Sequence, residues 1–406
     1  MIRALAWRNI WRQPRRTILT VLGIALPVMF LIFNFSLRTA TNVAMQTNSL
    51  RIFDGFAQVQ PKGYLRDPDF RKTISQPEKM ATALRGIDGI SAAAPRLATF
   101  AVLANGSRSY GASVIGVDPA REHAVSTLAA TVHVGRFLKV SDSNAAVIGD
   151  GLARNLKLAV GDRVTLLGTA YDGSTAADVL RVVGIFHSGA DSFDRETLEL
   201  PLARAQATFG YGDRANTIAI AGPTLAGVED AIPAAALLAA RYGVVVENWQ
   251  ALEPSLYDSF VFDSIVSTMV YSAIVVVVVF IILNTLLMSV LERTREFGVI
   301  LALGMRSPLV GLVVWLELLL LTLVGIGLGI ILGGGLILWL GHQGIALPGG
   351  EKMLAQLGLP QRVYPALTLL SVFATPGAIL LAVCVAGLVP YLHVQRLQAV
   401  FAATGA

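Results

Sequence analysis

The chain has 406 residues, of which 54% are hydrophobic and only 15% are charged, and its formal net charge is +5. This composition excludes an ordinary soluble protein and indicates several membrane spans joined to a soluble part. The single cysteine, Cys384, excludes an internal disulfide and a cysteine-based metal site.

The N-terminal segment, residues 1–16, is predicted to form an amphipathic helix on the cytoplasmic membrane surface. At helical spacing, Trp7 and Trp11 share one face, whereas Arg8 and Arg12 share another. This arrangement suits aromatic anchoring at the interface and contact with anionic membrane lipid. A simple topology signal explains the same arginines equally well. Because no acidic residue accompanies them, we interpret the positive charge as a membrane signal and predict no nucleic-acid binding.

Four apolar stretches are long enough to cross a bilayer, which takes about 20 residues. They are residues 17–37, 264–291, 307–341 and 363–392. The first lacks a signal-peptide cleavage site, so we predict that it is an uncleaved anchor.

Arginine distribution predicts the orientation of these spans, because cytoplasmic loops are enriched in basic residues. The N-terminus, the segment 292–306 and the tail 393–406 all contain arginine and are predicted to be cytoplasmic. Residues 38–263 and the short loop 342–362 then lie outside. An external domain without cysteine is compatible with the bacterial periplasm, in which case the chain lies in the bacterial inner membrane.

Residues 38–263 are predicted to form a large mixed α+β domain, because strand and helix patterns alternate along them. Short apolar runs rich in branched residues predict strands at 56–60, 97–103, 113–117, 145–148, 164–167, 179–186, 198–200, 217–221 and 244–247. Helical patterns occur at 77–85, 151–158, 202–209 and 225–242.

No catalytic, metal or cofactor site is predicted in this chain. It contains no G-x-x-x-x-G-K-[ST] phosphate loop, no H-E-x-x-H and no G-x-S-x-G. His123 and His133 could meet in space, but scattered histidines in a domain of this size are more often structural. We therefore expect a chain that is not an enzyme.

Between two long uncharged stretches, residues 292–306 form a compact charged segment with helix-forming residues. Its candidate contact residues are Glu292, Arg293, Arg295, Glu296, Phe297, Gly298 and Gly304. The charged members offer charge-assisted contacts, the phenylalanine offers an apolar knob, and the glycines permit tight turns or close backbone approach. An ordinary cytoplasmic loop explains the same residues.

Glu317 is the only charged residue between positions 307 and 341. An ionisable residue inside a span is costly and points to a function. Three roles remain open for it: a proton site, a substrate contact, or a structural carboxyl bonded to a neighbouring span. Gly325 and Gly329, in the same stretch, are expected to let helices pack closely, with a hinge as the alternative.

Several of these stretches resemble FtsX-like permeases, a family that includes MacB-type exporters and lipoprotein-releasing permeases of the LolC and LolE kind. Residues 292–298 with 302–304 resemble the family's cytoplasmic loop. The N-terminal stretch 6–17 and the third-span residues Glu317, Gly325 and Gly329 also match. Weaker likenesses cover the external domain at 55–64, 146–162 and 182–186.

The resemblance implies a polytopic α-helical membrane protein with four transmembrane helices and a large α+β periplasmic domain between the first two. It implies a permease of the type VII ABC class, working with separate ABC ATPase subunits that hold ATP and Mg, and with a second permease, identical or related. In this interpretation the segment 292–306 contains the coupling helix that contacts the ATPase. Glu317 then has a structural or coupling role.

Three functions follow from the resemblance. The first is extraction or export of lipoprotein or lipid-like substrates from the inner membrane, with a periplasmic acceptor. The second is MacB-like export of peptides or small molecules with an adaptor. The third is FtsX-like signalling that activates a periplasmic hydrolase.

Overall fold

The computed structural model describes residues 14–303, 305–346 and 362–395. The predicted surface helix with Trp7, Arg8, Trp11 and Arg12 lies outside the described residues, as do Gly304 and most of the loop 342–362. The described chain divides into two units. The α+β unit comprises residues 44–259, and the helical unit comprises residues 14–43, 260–303, 305–346 and 362–395.

The helices are, in chain order, α1 (Pro14–Ile52), α2 (Pro77–Leu84), α3 (Glu122–Val125), α4 (Asp150–Leu156), α5 (Asp191–Glu196), α6 (Leu202–Phe209), α7 (Leu225–Ala240), α8 (Trp249–Leu252), α9 (Pro254–Glu292), α10 (Thr294–Ala302), α11 (Ser307–Gln343), α12 (Leu369–Ala386) and α13 (Leu388–Gln395). Four of them, α1, α9, α11 and α12, are long and apolar enough to cross a membrane.

The first two of these helices extend well beyond the predicted apolar stretches. Helix α1 continues to Ile52, because residues 38–52 contain neither glycine nor proline to end it. Helix α9 begins at Pro254, ten residues before the apolar stretch, since proline suits the first turn of a helix. Each has 39 residues, which is longer than a bilayer requires.

The predicted fourth span, 363–392, is divided in the structure. Arg362–Val363 forms a short strand, and helix α12 starts only at Leu369. The Thr368 side chain accepts a hydrogen bond from the Ser371 backbone N–H at 3.1 Å, and the Ser371 hydroxyl accepts one from the Thr368 N–H, which together cap the helix. Gly387 then separates α12 from α13.

The strands are β1 (Ala57–Pro61), β2 (Ile74–Ser75), β3 (Ala92–Asn105), β4 (Arg108–Val117), β5 (Val132–Gly135), β6 (Ala145–Gly149), β7 (Arg163–Thr169), β8 (Thr175–Phe186), β9 (Thr197–Pro201), β10 (Arg214–Ala215), β11 (Thr217–Ala221), β12 (Val244–Asn248), β13 (Ile345–Ala346) and β14 (Arg362–Val363). Each of the predicted strands and helices of the α+β domain is present. The unpredicted strands have only two to four residues, too few for an alternating pattern.

Six strands of the α+β unit form a closed ring in the order β3-β4-β9-β6-β8-β7. The ring closes because β7 pairs with both β8 and β3, with Ala101 opposite Gly168. Each ring strand contributes a fully buried side chain to one core: Leu97, Val114, Leu198, Ile148, Leu180 and Leu166. Closure leaves no exposed edge among these six strands. Strand β3 then continues into an antiparallel sheet in the order β12-β1-β11-β3.

Candidate functional site

The charged segment 292–306 forms a sharp turn followed by a short helix. Helix α9 ends at Glu292, and Arg293 leaves the helical conformation with φ −102° and ψ 10° before α10 begins at Thr294. This break separates α10 from α9 within the helical unit.

Arg293 connects this turn to helix α11. Its Nη1 lies 3.3 Å from Glu317 Oε2, and its Nε lies 3.3 Å from Glu296 Oε2. Its guanidinium is also 5.3 Å from the centre of the Phe297 ring. Because the side chains of Arg293 and Glu317 are only 18% and 12% exposed, each charge is largely neutralised by the other. A structural role for Glu317 is compatible with this ion pair, although its partner Arg293 lies in the turn between α9 and α10 and not in a neighbouring span.

Glu292 connects the same turn to helix α1. The Nη1 of Arg16 donates to Glu292 Oε2 at 2.7 Å, and its Nη2 donates to the Thr285 carbonyl. The turn is therefore bonded to three of the long helices, α1 through Arg16, α9 directly, and α11 through Glu317. Sequence reasoning could not find these pairs, since the partners lie far apart along the chain.

A second set of polar contacts joins α1 and α9 at their other ends. Arg38 Nε donates to Asp263 Oδ2 at 2.6 Å, and Tyr271 OH donates to Asn34 Oδ1 at 2.9 Å. Arg16 and Arg38 are 22 residues apart in one helix, about 33 Å at helical rise, which is close to the thickness of a bilayer's hydrocarbon core. The two helices are thus held together by ion pairs at both ends of an apolar stretch.

Phe297 does not face outward, although the sequence suggested an apolar knob at this position. Phe297 is 3% exposed and packs in the core that contains Val290, Val310 and Val314, and Gly298 is also buried. The expectation of Phe297 as an exposed apolar knob is therefore wrong. A helical repeat explains the error, because Phe297 and Leu301 lie on the face of α10 that packs inward.

The exposed face of α10 carries a different set of side chains. Arg295 and Glu296 are exposed, Val299 is 54% exposed and Leu303, just after the helix, is 82% exposed. Leu303 also lines an open pocket together with Ile300, Met305, Arg306 and Leu309. Sequence reasoning missed Val299 and Leu303 because aliphatic residues near a span resemble the span itself. Residues 295, 299 and 303 are spaced four apart, and this spacing could have indicated that Val299 and Leu303 share the exposed helix face of Arg295.

Glycines of α11 let it approach α1 closely. A Cβ at Gly325 would lie 2.7 Å from Ile24 Cβ, and one at Gly329 would lie 2.7 Å from Val28 Cβ. Gly333 repeats the pattern one turn later, 3.2 Å from Met29 Cα, whereas a Cβ at Gly327 would meet nothing within 4 Å. The geometry at Gly325 and Gly329 therefore matches the expected close packing.

The described histidines of the α+β unit have protein partners. His123 packs on the Phe137 ring at 5.4 Å, and His133 lies 6.5 Å from His187. His187 Nδ1 is 3.0 Å from Asp194 Oδ2 and 3.3 Å from Asp150 Oδ2. These three side chains are close enough together to coordinate a metal ion. Asp194 also accepts hydrogen bonds from Ser188, and Asp150 from Arg154, so protein donors occupy these carboxylates.

Two family models match the chain and cover both of its units. Residues 17–238 match the MacB-like periplasmic core domain, and residues 268–399 match the FtsX-like permease C-terminal region.

Named relatives are about one quarter identical to this chain. LolC of the lipoprotein-releasing system from Neisseria meningitidis serogroup B is 24% identical over 303 residues, which is 72% of this chain and 69% of LolC. LolE from Haemophilus influenzae is 26% identical over 360 residues, 81% of this chain and 83% of LolE. The macrolide export ATP-binding/permease protein MacB from Hyphomonas neptunium is 25% identical over 98% of this chain and 60% of its own length.

The first family model alone covers more than half of the chain, and the second falls on the helices that follow the α+β unit. The four helices of membrane-spanning length and composition found among the described residues agree with both. This chain therefore belongs to the MacB- and FtsX-like family of ABC transporter permeases, the membrane components of such transporters.

Proposed function

We propose that this chain is the permease subunit of an ABC transporter in which a separate ATPase drives movement of lipoprotein or lipid-like substrates out of the bacterial inner membrane. One observation carries the proposal: the turn at 292–306 is ion-paired to α1 and α11 while one face of α10 stays exposed. A surface that must receive force has to be accessible on one side and bonded to the moving helices on the other.

The ATPase would contact the exposed face of α10. Arg295 and Glu296 supply charge-assisted contacts, and Val299 with Leu303 supply the apolar part in place of the buried phenylalanine. Glu292, Arg293, Phe297 and Gly298 hold this face in place through their contacts within the helical unit. ATP and Mg would be bound by the partner, because these 406 residues contain no phosphate loop.

Orientation follows from the same assignment. The turn 292–306 and both termini would lie in the cytoplasm, and the α+β unit would lie in the periplasm, as the arginine distribution favours. The ion pairs Arg16–Glu292 and Arg38–Asp263 would then mark the two membrane surfaces. Displacement of the turn would be passed along α1 and α9, which these pairs hold together.

The substrate class is inferred from the relatives. LolC and LolE, both named for a lipoprotein-releasing system, match this chain over 69% and 83% of their own lengths. MacB, named for macrolide export, carries ATP-binding and permease functions in one protein, of which this chain spans 60%. Export of small molecules or peptides, and signalling to a periplasmic hydrolase, are the alternatives. A second permease subunit and a periplasmic acceptor belong to the same proposal.

Purification of the chain from its host membrane tests the ATPase contact. We expect a protein with a phosphate-loop sequence to co-purify and to hydrolyse ATP. Leu303→Asp should abolish this association, because it puts a charge in the apolar centre of the contact. Val140→Asp is the matched control, since Val140 is 76% exposed but lies in the α+β unit. An ATPase that remains bound to Leu303→Asp, or that is lost equally from both variants, would refute the proposed contact.

Cargo retained by a complex with a catalytically inactive ATPase tests the substrate class. We expect mass spectrometry to find acylated protein. Retention of an unacylated peptide or small molecule would favour the export alternative, and retention of a periplasmic hydrolase would favour signalling.

A further inference from the structure

A cleft of about 730 Å³ opens in the α+β unit where the chain leaves α1 and where it enters α9. Its walls are mostly apolar and aromatic: Ile52, Phe53, Phe100, Ile115, Phe193 and Leu256. Phe53 and Phe193 contact each other with their ring centres 5.2 Å apart, and Phe100 is 71% exposed at the rim. The size and the aromatic lining are typical of a small-molecule site.

The charged groups of this cleft all have the same sign, and four serines and one threonine complete its polar lining. Asp54, Glu196 and Glu253 line it, and none of the described lining residues is basic. The carboxyls of Asp54 and Glu253 hydrogen-bond to each other. Burial raises the pKa of Asp54, and burial together with the Asp54 charge raises the pKa of Glu253 to about 7. Two carboxyls in contact favour a state that holds one proton between them, because two negative charges close together repel.

The charge of Arg96 acts on Asp54 but does not neutralise this pair. Arg96 donates from Nε and Nη2 to the Glu122 carboxylate and from Nη1 to the Phe53 carbonyl. Its guanidinium lies over the Phe53 ring at 4.2 Å, and Arg96 is not among the residues that line the cleft. Its attraction lowers the pKa of Asp54 by less than burial raises it.

A further buried carboxyl lies beside the residues of the cleft wall, and burial together with the charge of Glu122 raises its pKa by more than Arg96 lowers it. Glu199 is fully buried in β9, and neither of its oxygens accepts a hydrogen bond from any described residue. It pairs across the strands with Ile115, which lines the cleft, and Thr197 two residues away lines it as well. Side chains at these positions share one face of the sheet. The wall therefore adds no positive charge to balance the Asp54–Glu253 pair.

We propose that this cleft binds an organic cation with an apolar body, such as an aromatic or alkyl amine. The ammonium group would replace the proton that Asp54 and Glu253 share, and the proton would go to solvent. With a cation between them both carboxyls can ionise, and the apolar body would cover the Phe53, Phe100 and Phe193 rings. The inference rests on the cleft alone and requires neither the proposed ATPase contact nor a particular transported substrate.

The place of the pair in the chain suggests what binding would do. Asp54 follows the end of α1 by two residues, and Glu253 immediately precedes α9. When an ammonium group replaces the shared proton, the contact between the segment that follows α1 and the residue that precedes α9 changes. A ligand there would therefore act on the same helices that the ion pairs Arg16–Glu292 and Arg38–Asp263 hold together.

Binding of two matched probes to the full chain in lipid nanodiscs tests the inference. The probes are 2-(1-naphthyl)ethylamine and 2-(1-naphthyl)ethanol, which share an apolar body and differ in charge. We expect saturable binding of the amine about ten-fold tighter than that of the alcohol. Because the amine displaces a proton, calorimetry in buffers of different ionisation enthalpy at pH 7 should show proton release.

Two variants and a control identify the site. Asp54→Asn with Glu253→Gln should remove the preference for the amine, whereas Asp67→Asn, at an exposed carboxyl elsewhere in the unit, should leave it unchanged. Phe100→Ala should weaken both probes, and it remains informative if the double variant does not fold. Equal affinity for amine and alcohol, or full amine affinity in the double variant, would overturn the inference. Absence of saturable binding, as when a second copy covers the cleft, would overturn it too.

Discussion

Two of the sites where carboxyl groups are removed from water in this protein, one in each unit, are treated in opposite ways. In the helical unit, Glu317 is paired with Arg293, so opposite charges compensate each other. In the α+β unit, Asp54 is paired with Glu253, so two acids compete for one proton. The first arrangement connects the turn after α9 to α11, and because its charges are already balanced it does not favour a charged ligand. The second arrangement is stabilised by added positive charge. A proton supplies this charge at low pH, and a bound cation can supply it at higher pH.

The largest expected effect comes from breaking the oppositely charged pair. Glu317→Ala leaves Arg293 without its buried counter-ion, and we expect a loss of about 3 kcal/mol in the free energy of unfolding. Thermal unfolding of the full chain in detergent measures it. The double variant Arg293→Met with Glu317→Leu should recover much of this loss, because it removes both charges. A double variant as unstable as Glu317→Ala would show that the pair is not the cause.

The glycine contact that holds α11 against α1 has the next largest effect. At Gly329 a Cβ would lie 2.7 Å from Val28 Cβ and 2.8 Å from the Ala25 carbonyl oxygen, so Gly329→Ala should cost about 1–3 kcal/mol through overpacking. Gly327→Ala is the matched control, because its Cβ would meet nothing within 4 Å. That variant should be neutral or slightly stabilising, since alanine is the better helix former. Similar melting temperatures for both variants would contradict the close contact.

The acid pair should make stability depend on pH. Because the pKa of Glu253 is raised to about 7 in the folded protein, its protonated form is favoured by folding. Stability is then fully present below the ordinary pKa of glutamate and falls as the pH rises from about 4.5 to about 7. We expect a loss of about 1–2 kcal/mol, reduced by partial exposure. Unfolding of Glu253→Gln over this range should lack that contribution, and an unchanged pH profile would contradict the shared proton.

The smallest effect is expected at the ion pair nearer the solvent. The side chains of Arg38 and Asp263 are 22% and 46% exposed, so water and salt weaken their attraction. Asp263→Asn should cost about 0.5–1 kcal/mol, and less in high salt. Denaturation of the variant and the parent chain at two salt concentrations measures the difference. A loss as large as that of Glu317→Ala would mean that burial does not distinguish these pairs.

Local patterns predicted most of the elements but not their limits. Short apolar runs rich in branched residues, such as 113–117 and 217–221, became strands β4 and β11, because a continuous apolar run suits a strand that is buried on both faces, as β11 is along its whole length. The ends of α1 and α9 were not predicted correctly. Hydropathy identifies the part of a helix that is apolar enough to lie in the bilayer, but it does not detect the polar turns by which the helix continues beyond it. The closed ring was also not predictable, because the pairing of β7 with β3 joins residues that are more than fifty positions apart.

At the candidate site the same division holds. Sequence identified the turn at 292–306 and the buried acid Glu317, because charges are conspicuous among apolar residues. It assigned Phe297 to the wrong side of α10 and left Val299 and Leu303 unnoticed. It did not single out Asp54 and Glu253, which are unremarkable in composition and become a pair only through contact.

The sequence by itself determined which segments are apolar enough to enter a membrane, where strands and helices alternate, and which family the chain resembles. These properties depend on residue type and short spacing, and so they can be recognised along the chain. Only the tertiary structure decided the partner of each charge: arginine for Glu292 and Glu317, and another acid for Asp54. The physical reason is that the cost of a buried charge depends on its neighbours in space, and chain order does not specify them.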